Sequence, residues 1–279
     1  MPKLNLKNPE VEKFITDVAC YWIKECNIDG WRMDVGDEIS HYFWKNFRRA
    51  VKAVKKDMLI IGEIWHYAGD FLEGDEWDTV MNYPFYLNLI DLLADEKIQV
   101  SQFVQNLGYL KGRLNKKCYP LMWNLIDSHD TARFLHLCNE NKKKQHLAAA
   151  FQLLLPGMPM IYYGDEFAMP GANDPDCRRG MYWDEEYQDK EMYEWYKRLI
   201  QVRKSHACIV EGELAGSVTE DEEGTVVLIR KNGEETIAMI FNCSSSAKKF
   251  NEYTQKYNLL TENTFDGNVE GFDAAVIVL

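Results

Sequence analysis

The sequence predicts an α/β protein, a parallel sheet or barrel through residue 206 followed by a small antiparallel β domain over 207–279. Three observations lead there. Apolar runs of strand length alternate with amphipathic segments of helix length as far as His206. Three of those strand ends carry an acid, at Asp34, Glu63 and Asp130. After His206 short alternating segments, Thr225 to Arg230, Thr236 to Phe241 and Ala274 to Leu279, stand between clusters of Gly, Asn, Ser and Asp.

The elements follow in order. Asn8-Pro9-Glu10 starts a helix, with Asn as N-cap, Pro at the first helical position and an acid in the first turn. Val11, Phe14, Ile15, Val18 and Trp22 recur at helical spacing, which predicts one buried face. Asp29 to Val35 is a short strand in which alternation sets Arg32 and Asp34 on one side and Trp31, Met33 and Val35 on the other. An amphipathic helix from about His41 to Lys56 turns Phe43, Phe47, Val51 and Val54 inward. Leu59-Ile60-Ile61-Gly62-Glu63 is an apolar run ending in an acid, the pattern of a parallel strand covered on both faces. Asp78 to Tyr83 is a further short strand, Pro84 to about Leu114 is largely helical, and Leu121 to Ile126 is a strand entering Asp127-Ser128-His129-Asp130. A helix from about Lys143 to Leu155 stops at Pro156-Gly157, and Met158 to Tyr163 is expected to be one more buried strand. A loop rich in Gly, Asp and Pro, Gly164 to Asp184, leads to a last helix from about Asp189 to His206. About five strand positions fall before residue 207, whereas a closed barrel of this kind takes eight strands and typically ~250 residues. The chain is therefore expected to begin partway through a barrel, at a helix, and its open edges predict self-association.

A net charge of −12 and a pI near 5.1 argue against nucleic acid and anionic membranes, which require a basic footprint. With 8 Trp and 15 Tyr there is ample aromatic surface for stacking on the flat faces of sugar rings. The seven cysteines are scattered and form no Cys-x-x-Cys, the usage of a reducing compartment, and the N-terminus shows no signal segment. A cytoplasmic location is expected, with no membrane partner.

The chemistry concentrates at the three acids. Two carboxylates in different environments are the minimum apparatus for cleaving a glycosidic bond, one attacking or activating water while the other donates a proton. Arg32 on the face of Asp34 favours the ionised form that a nucleophile needs. Glu63 follows Leu59, Ile61 and Gly62 and precedes Trp65, apolar surroundings that should raise its pKa as a proton donor requires. Asp130, beside His129, could hold sugar hydroxyls and counter positive charge in an oxocarbenium-like transition state. Arg32 with Asp34 could instead be a pair that only fixes register. A carboxylate metal site is a second rival, but it calls for more histidines than the single His129 that stands next to an acid.

Gly30-Trp31-Arg32-Met33-Asp34, then Gly62-Glu63-Ile64-Trp65, then Ser128-His129-Asp130 resemble the second, third and fourth signatures of the α-amylase family of glycoside hydrolases. Met1-Pro2-Lys3-Leu4-Asn5 is similar to the extra signature of its neopullulanase, cyclomaltodextrinase and maltogenic amylase branch. Asn173-Asp174-Pro175-Asp176-Cys177-Arg178 is similar to that branch's loop after the eighth strand. The resemblance implies a partial (β/α)8 TIM barrel, roughly the third helix through the eighth strand and helix, with the first signature and the first three strands without counterpart. It further implies a retaining mechanism with Asp34 as nucleophile, Glu63 as general acid/base and Asp130 as transition-state stabiliser. Arg32 and His129 would line the site of the cleaved sugar. Trp65, Asp37 and Glu38 would face the leaving-group side, and Asp174 and Arg178 would hold a sugar further out, unless those two merely pin the loop by pairing. The substrate implied is an α-1,4-linked glucan: a cyclodextrin, a maltooligosaccharide or pullulan. The alternative is an inactive fragment or an α-glucan-binding module. No cofactor is expected, calcium being the one ion the resemblance keeps open.

Overall fold

A computed structural model describes residues 3–279, in two compact units. The first gathers the chain up to Pro84 together with Lys111–Trp123; the second comprises Phe85–Leu110 and Asn124–Leu279. The residues Met1 and Pro2 of the opening signature lie outside the described residues.

The first unit begins with α1 (Pro9–Cys26), capped by the Asn8 side chain, which accepts from Glu10 N. Its packing differs from the expectation. Ala19 and Ile23 are buried and Val11 and Ile15 half-buried, whereas Phe14, Val18, Tyr21 and Trp22 are exposed, Phe14 at 62%. The apolar set spans two neighbouring i±4 ridges, and the ridge through 11, 15, 19 and 23 is the buried one, on a helix that packs with α2 (His41–Val54). In α2 the buried set is Phe43, Trp44, Phe47 and Val51, with Val54 left exposed at the last turn. Between the helices runs β1 (Gly30–Met33), parallel to β2 (Leu59–Gly62), which in turn pairs in parallel with β3 (Thr79–Val80). Asp78 ties this layer together: its carboxylate accepts from Ile60 N at 2.9 Å and pairs with Arg48 and Lys52 of α2 at 2.8 and 3.0 Å.

Trp77, fully buried, is the centre of the first unit's packing. It stacks on Phe71 with ring centroids 4.2 Å apart and meets Trp44 edge-on at 5.6 Å. A Cβ added at Gly62 would come within 2.2 Å of this ring, and one at Gly36 within 2.6 Å. Only glycine lets the backbone pass so close to the indole at these two positions.

The chain continues through α3 (Tyr83–Leu89), a π-helical turn at Ile90–Ala94 and α4 (Val100–Arg113). The strand expected over Leu121–Ile126 shrinks to β4 (Trp123–Asn124), because Tyr119–Leu121, with Pro120 inside, forms a 3-10 turn. After α5 (Phe134–Leu137) and α6 (Lys142–Leu154), the strand expected over Met158–Tyr163 is only β5 (Met158–Pro159), and it is not buried: Met158 is exposed and Pro159 half-buried. Pro159 has no N–H to give a ladder. The Asn124 carbonyl accepts from Met160 N at 2.8 Å, and the Gln152 side-chain amide from α6 donates to the carbonyls of Asn124 and Met160, at 3.2 and 2.7 Å.

In the second unit α7 (Lys190–Ser205), capped by Asp189, and α8 (Ala207–Glu211) lead into antiparallel strands. These are β6 (Glu213–Glu220), β7 (Thr225–Asn232), β8 (Glu235–Asn242), β9 (Lys248–Lys249), β10 (Tyr257–Asn258), β11 (Asn263–Thr264), β12 (Asn268–Val269) and β13 (Asp273–Val278). The main sheet has the order β11-β10-β13-β8-β7-β6, and β9 pairs with β12. Alternation splits its central strands. Val226, Leu228, Met239, Phe241 and Val276 join the core with α6, while Val227, Ala238, Ile240 and Ile277 pack with Phe250 and Phe265. Phe151 of α6 stacks on Phe241 at 4.2 Å. The sequence reading missed β6, an edge strand that is largely exposed and so carries little alternation. All seven cysteines are free thiols.

Replacing Trp77 by Ala should cost about 3–5 kcal/mol of stability, the usual range for emptying a buried aromatic site. Replacing Gly62 by Ala should cost about 1–3 kcal/mol through overpacking against the same ring. Thermal or denaturant unfolding of the two variants checks both, and a Gly62→Ala protein as stable as the parent would contradict the close approach.

Candidate active site

In the first unit the in-register parallel pairing of β1 with β2 sets Met33 opposite Gly62, so the residues that follow, Asp34 and Glu63, leave neighbouring strand ends. The turn after β1 folds back onto Glu63: Glu63 N donates to Met33 O at 2.9 Å, and Gly36 N donates to Glu63 O at 3.1 Å. Val35 takes a left-handed conformation, φ 46°, which is strained for a β-branched residue. That conformation accompanies a hydrogen bond from Val35 N to Glu63 Oε2 at 2.9 Å.

Arg32 joins the two acids. Its Nη1 lies 2.6 Å from Asp34 Oδ1 and its Nη2 2.5 Å from Glu63 Oε1. Arg32 is not partner to Asp34 alone, and the surroundings of Glu63 are not wholly apolar, since a guanidinium and a backbone N–H meet its buried carboxylate. The environments of the two acids do differ as expected in exposure: the Asp34 side chain is 77% exposed and that of Glu63 only 4%. Trp65 presents a half-open indole face, held by stacking on the buried Tyr83 ring at 4.2 Å and 12°. Glu38 forms an ion pair with Lys3, and Asp37 is exposed.

In the second unit the turn carrying Asp130 is built from its own hydroxyls. Ser128 N donates to Thr131 Oγ1 at 2.9 Å, and Asp130 N to Ser128 Oγ at 3.2 Å. His129 Nε2 lies 3.0 Å from Asp130 Oδ2. Arg178 brings its loop onto this turn, with Nε 2.8 Å from His129 O and Nη2 3.3 Å from Asp130 Oδ1. The same Nε lies 2.8 Å from Asp174 Oδ1, so the pairing of these two residues that the sequence reading held as an alternative is present. His129, Asp130, Asp174 and Arg178 therefore form one connected group, as Arg32, Asp34 and Glu63 do in the first unit.

The sequence reading missed three groups behind the Asp130 turn. Arg133, Asp127 and Asp165 are all fully buried, and Arg133 Nη1 lies 3.2 Å from Asp165 Oδ1. Burial pushes the Asp127 carboxyl up to about 6, against the lowering effect of a hydrogen bond from Phe134 N and the charge of Arg133. Burial, followed by the neighbouring Asp127, pushes Asp165 well above the ordinary carboxylate range. A buried arginine has no signature in a single sequence. The one available signal was Asp127, an acid directly after the apolar run Leu125-Ile126. Among the described residues no group of three or more His, Cys, Asp and Glu is placed to hold a metal ion.

Chemically, the first unit's site offers an exposed carboxylate, a buried carboxyl and a cation that neutralises part of their repulsion. The second offers a carboxylate, an imidazole and a guanidinium, all suited to bonding hydroxyl groups.

Comparison with known proteins places the chain among glycoside hydrolases. A cyclomaltodextrinase of Geobacillus thermopakistaniensis is 45% identical over 247 residues, 88% of this chain and 42% of that protein. An intracellular maltogenic amylase of Bacillus subtilis is 42% identical over 243 residues, 87% of this chain and 41% of that protein. A solved cyclomaltodextrinase structure superposes with a TM-score of 0.93 at 34% identity, covering 99% of this chain and 50% of that one. The chain thus has the fold of part of a cyclomaltodextrinase, spanning less than half the length of these curated relatives. Residues 1–187 match the family described as alpha amylase, catalytic domain, and the chain belongs to that family.

Proposed function

We propose that this chain carries the acid machinery of a retaining glycoside hydrolase acting on α-1,4-glucosidic bonds of cyclodextrins, maltooligosaccharides or pullulan. The observation that supports it most is the Asp34–Arg32–Glu63 arrangement, an exposed carboxylate and a buried one on neighbouring parallel strands sharing one guanidinium. In this reading Asp34 Oδ attacks the anomeric carbon and the glycosidic C–O bond breaks as Glu63 delivers a proton to the leaving oxygen. Water, deprotonated by Glu63, then releases the sugar from Asp34. Asp130 stabilises the oxocarbenium-like charge. Arg32 and His129 bond the cleaved sugar, Trp65 stacks on the leaving-group side with Asp37 and Glu38 beyond it, and Asp174 with Arg178 holds an outer glucosyl unit.

Two carboxyl groups and water suffice for this chemistry, so the reading asks for no cofactor. We further take the boundary of the C-terminal β domain to lie near residue 207 and the protein to act in the cytoplasm. The charge balance speaks against nucleic acid and anionic membranes as partners, and association of copies through open sheet edges accompanies the reading. Among the described residues no helix is long and apolar enough to cross a membrane.

Release of reducing sugar from β-cyclodextrin and pullulan by this chain, beside Asp34→Asn, tests the proposal. The parent should release sugar and the variant should lose on the order of 10⁴-fold or more, as expected when a nucleophile is removed. A folded parent that releases no more than Asp34→Asn would point to the alternative, a fragment or binding module without activity of its own.

Arg32→Met should destabilise the fold by about 3 kcal/mol, because it leaves a buried carboxylate without its cation. Adding Glu63→Gln to that variant should recover most of the loss. Urea unfolding of both checks the pair, and equal stabilities for Arg32→Met and the double variant would show that the charge on Glu63 is not what Arg32 offsets.

A further inference from the structure

Asp127 and Asp165 share a feature that packing alone does not account for. Each is fully buried, each lies close enough to the other to feel its charge, and each keeps one oxygen, Asp127 Oδ1 and Asp165 Oδ2, that meets no N–H or O–H donor among the described residues. Two ionised carboxylates are acceptors only, so a hydrogen bond between them needs a proton. Ionising both beside the single guanidinium of Arg133 would also bury a net negative charge. The other groups facing the pair bring no cation. Glu166, Tyr86 of α3 and Tyr196 of α7 add negative or neutral partners, and Gln145 of α6 donates to the Asp165 backbone carbonyl, at 2.9 Å.

The cluster also encloses the turn that bears Asp130. Asp127 Oδ2 accepts from Phe134 N at 2.8 Å, closing the segment 127–134 with Asp130 in its middle. Arg133 N donates to Gly171 O at 2.9 Å, and Arg133 Nη1 to Tyr163 O at 2.7 Å. The guanidinium lies over the Tyr162 ring, 4.4 Å from its centroid, and Tyr162 OH donates to the Cys177 carbonyl at 3.3 Å. Cys177 and Arg178 are the residues that hold the His129 carbonyl, at 3.4 and 2.8 Å.

We propose that Arg133, Asp127 and Asp165 are positioning residues that clamp the Asp130 turn, with one proton held between the two buried acids. One of the pair stays ionised against Arg133 while the other donates its O–H to it. The clamp is a property of the folded chain. Its bearing on catalysis rests on the reading of Asp130 as a sugar-facing group.

The proton makes the clamp sensitive to pH. Both acids are held above their ordinary range in the fold, so the pair's contribution to stability is full below the unfolded carboxyl range near about pH 4. It falls as pH rises above that range: the first proton leaves near 6, the value for Asp127, which gives the one-proton pair, and the rest of the contribution goes as the higher-lying Asp165 gives up the second.

Asp165→Asn supplies a permanent N–H in place of the shared proton while keeping an oxygen for Arg133, and it is the decisive variant. Its Tm should exceed that of the parent by about 5 °C at pH 8, with the gap closing towards pH 4. Amide hydrogen exchange of 128–131, corrected for its intrinsic pH dependence, should show protection falling with pH in the parent and staying level in Asp165→Asn. Arg133→Lys, which cannot reproduce the planar fork, should lower that protection at every pH. A Tm difference between Asp165→Asn and the parent that does not change from pH 4 to 8 would overturn the shared proton. Unaltered protection of 128–131 in Arg133→Lys would overturn the clamp. Calorimetric binding of β-cyclodextrin by the same three proteins separates the two readings. Affinity that follows the protection supports both, whereas protection that changes while affinity does not leaves the clamp standing and counts against Asp130 as a sugar-facing group.

Discussion

Carboxylates on adjacent parallel strands cannot occupy neighbouring positions without something to offset their repulsion, and in the first unit that something is Arg32. Its guanidinium reaches Asp34 with one nitrogen and Glu63 with the other. The planar fork matters here, because a lysine would offer one point charge where two directed donors are needed. Exposure sets the balance between the two contacts. The contact to Asp34 is open to water and therefore screened, whereas the contact to Glu63 is made to a carboxylate almost out of reach of solvent. The same cation thus leaves one acid accessible and fixes the other.

Beneath the acids the backbone is fixed by an aromatic layer. Trp77 fills the space under Gly36 and Gly62, one in the turn after β1 and one at the end of β2. Trp44 from α2 packs against it and donates its indole N–H to Gly36 O at 2.9 Å. A side chain at either glycine would lift an acid-bearing turn off its support. The positive φ of Val35, which costs energy on its own, is held by this support and by the bonds of the turn to Glu63.

The second unit meets the same problem of neighbouring acids by other means. Where the exposed Asp34 and the buried Glu63 share a half-buried cation, Asp127 and Asp165 both lie in the interior with Arg133 against Asp165, and a proton between them would offset their repulsion. Desolvation rules in the interior, and it raises both carboxyls despite the nearby guanidinium. The polar groups in this region are bonded to the backbone carbonyls of Tyr163, Asp165, Cys177 and His129, which ties loops and short 3-10 turns into a defined arrangement.

The sequence alone determined the alternation of elements, the N-cap at Asn8, the acids Asp34 and Glu63 at the ends of their strands and the family to which they belong. These depend on periodicity, capping and short motifs, all local in the chain. Tertiary structure decided which of two apolar ridges of α1 is buried, since a helix with Phe14, Ile15, Val18 and Ala19 in sequence reads equally well in either rotation. It decided that Arg32 serves Glu63 as well as Asp34, a partner 31 residues further on that alternation within one strand cannot reveal. It also decided the length of β4 and β5, where a 3-10 turn precedes β4, Pro159 withholds an N–H, and the Gln152 side chain donates to the Asn124 and Met160 carbonyls. Trp77, Arg133, Asp127 and Asp165 gain their meaning only from neighbours far away in the chain, because burial and charge pairing are properties of the packed fold and not of any segment of it.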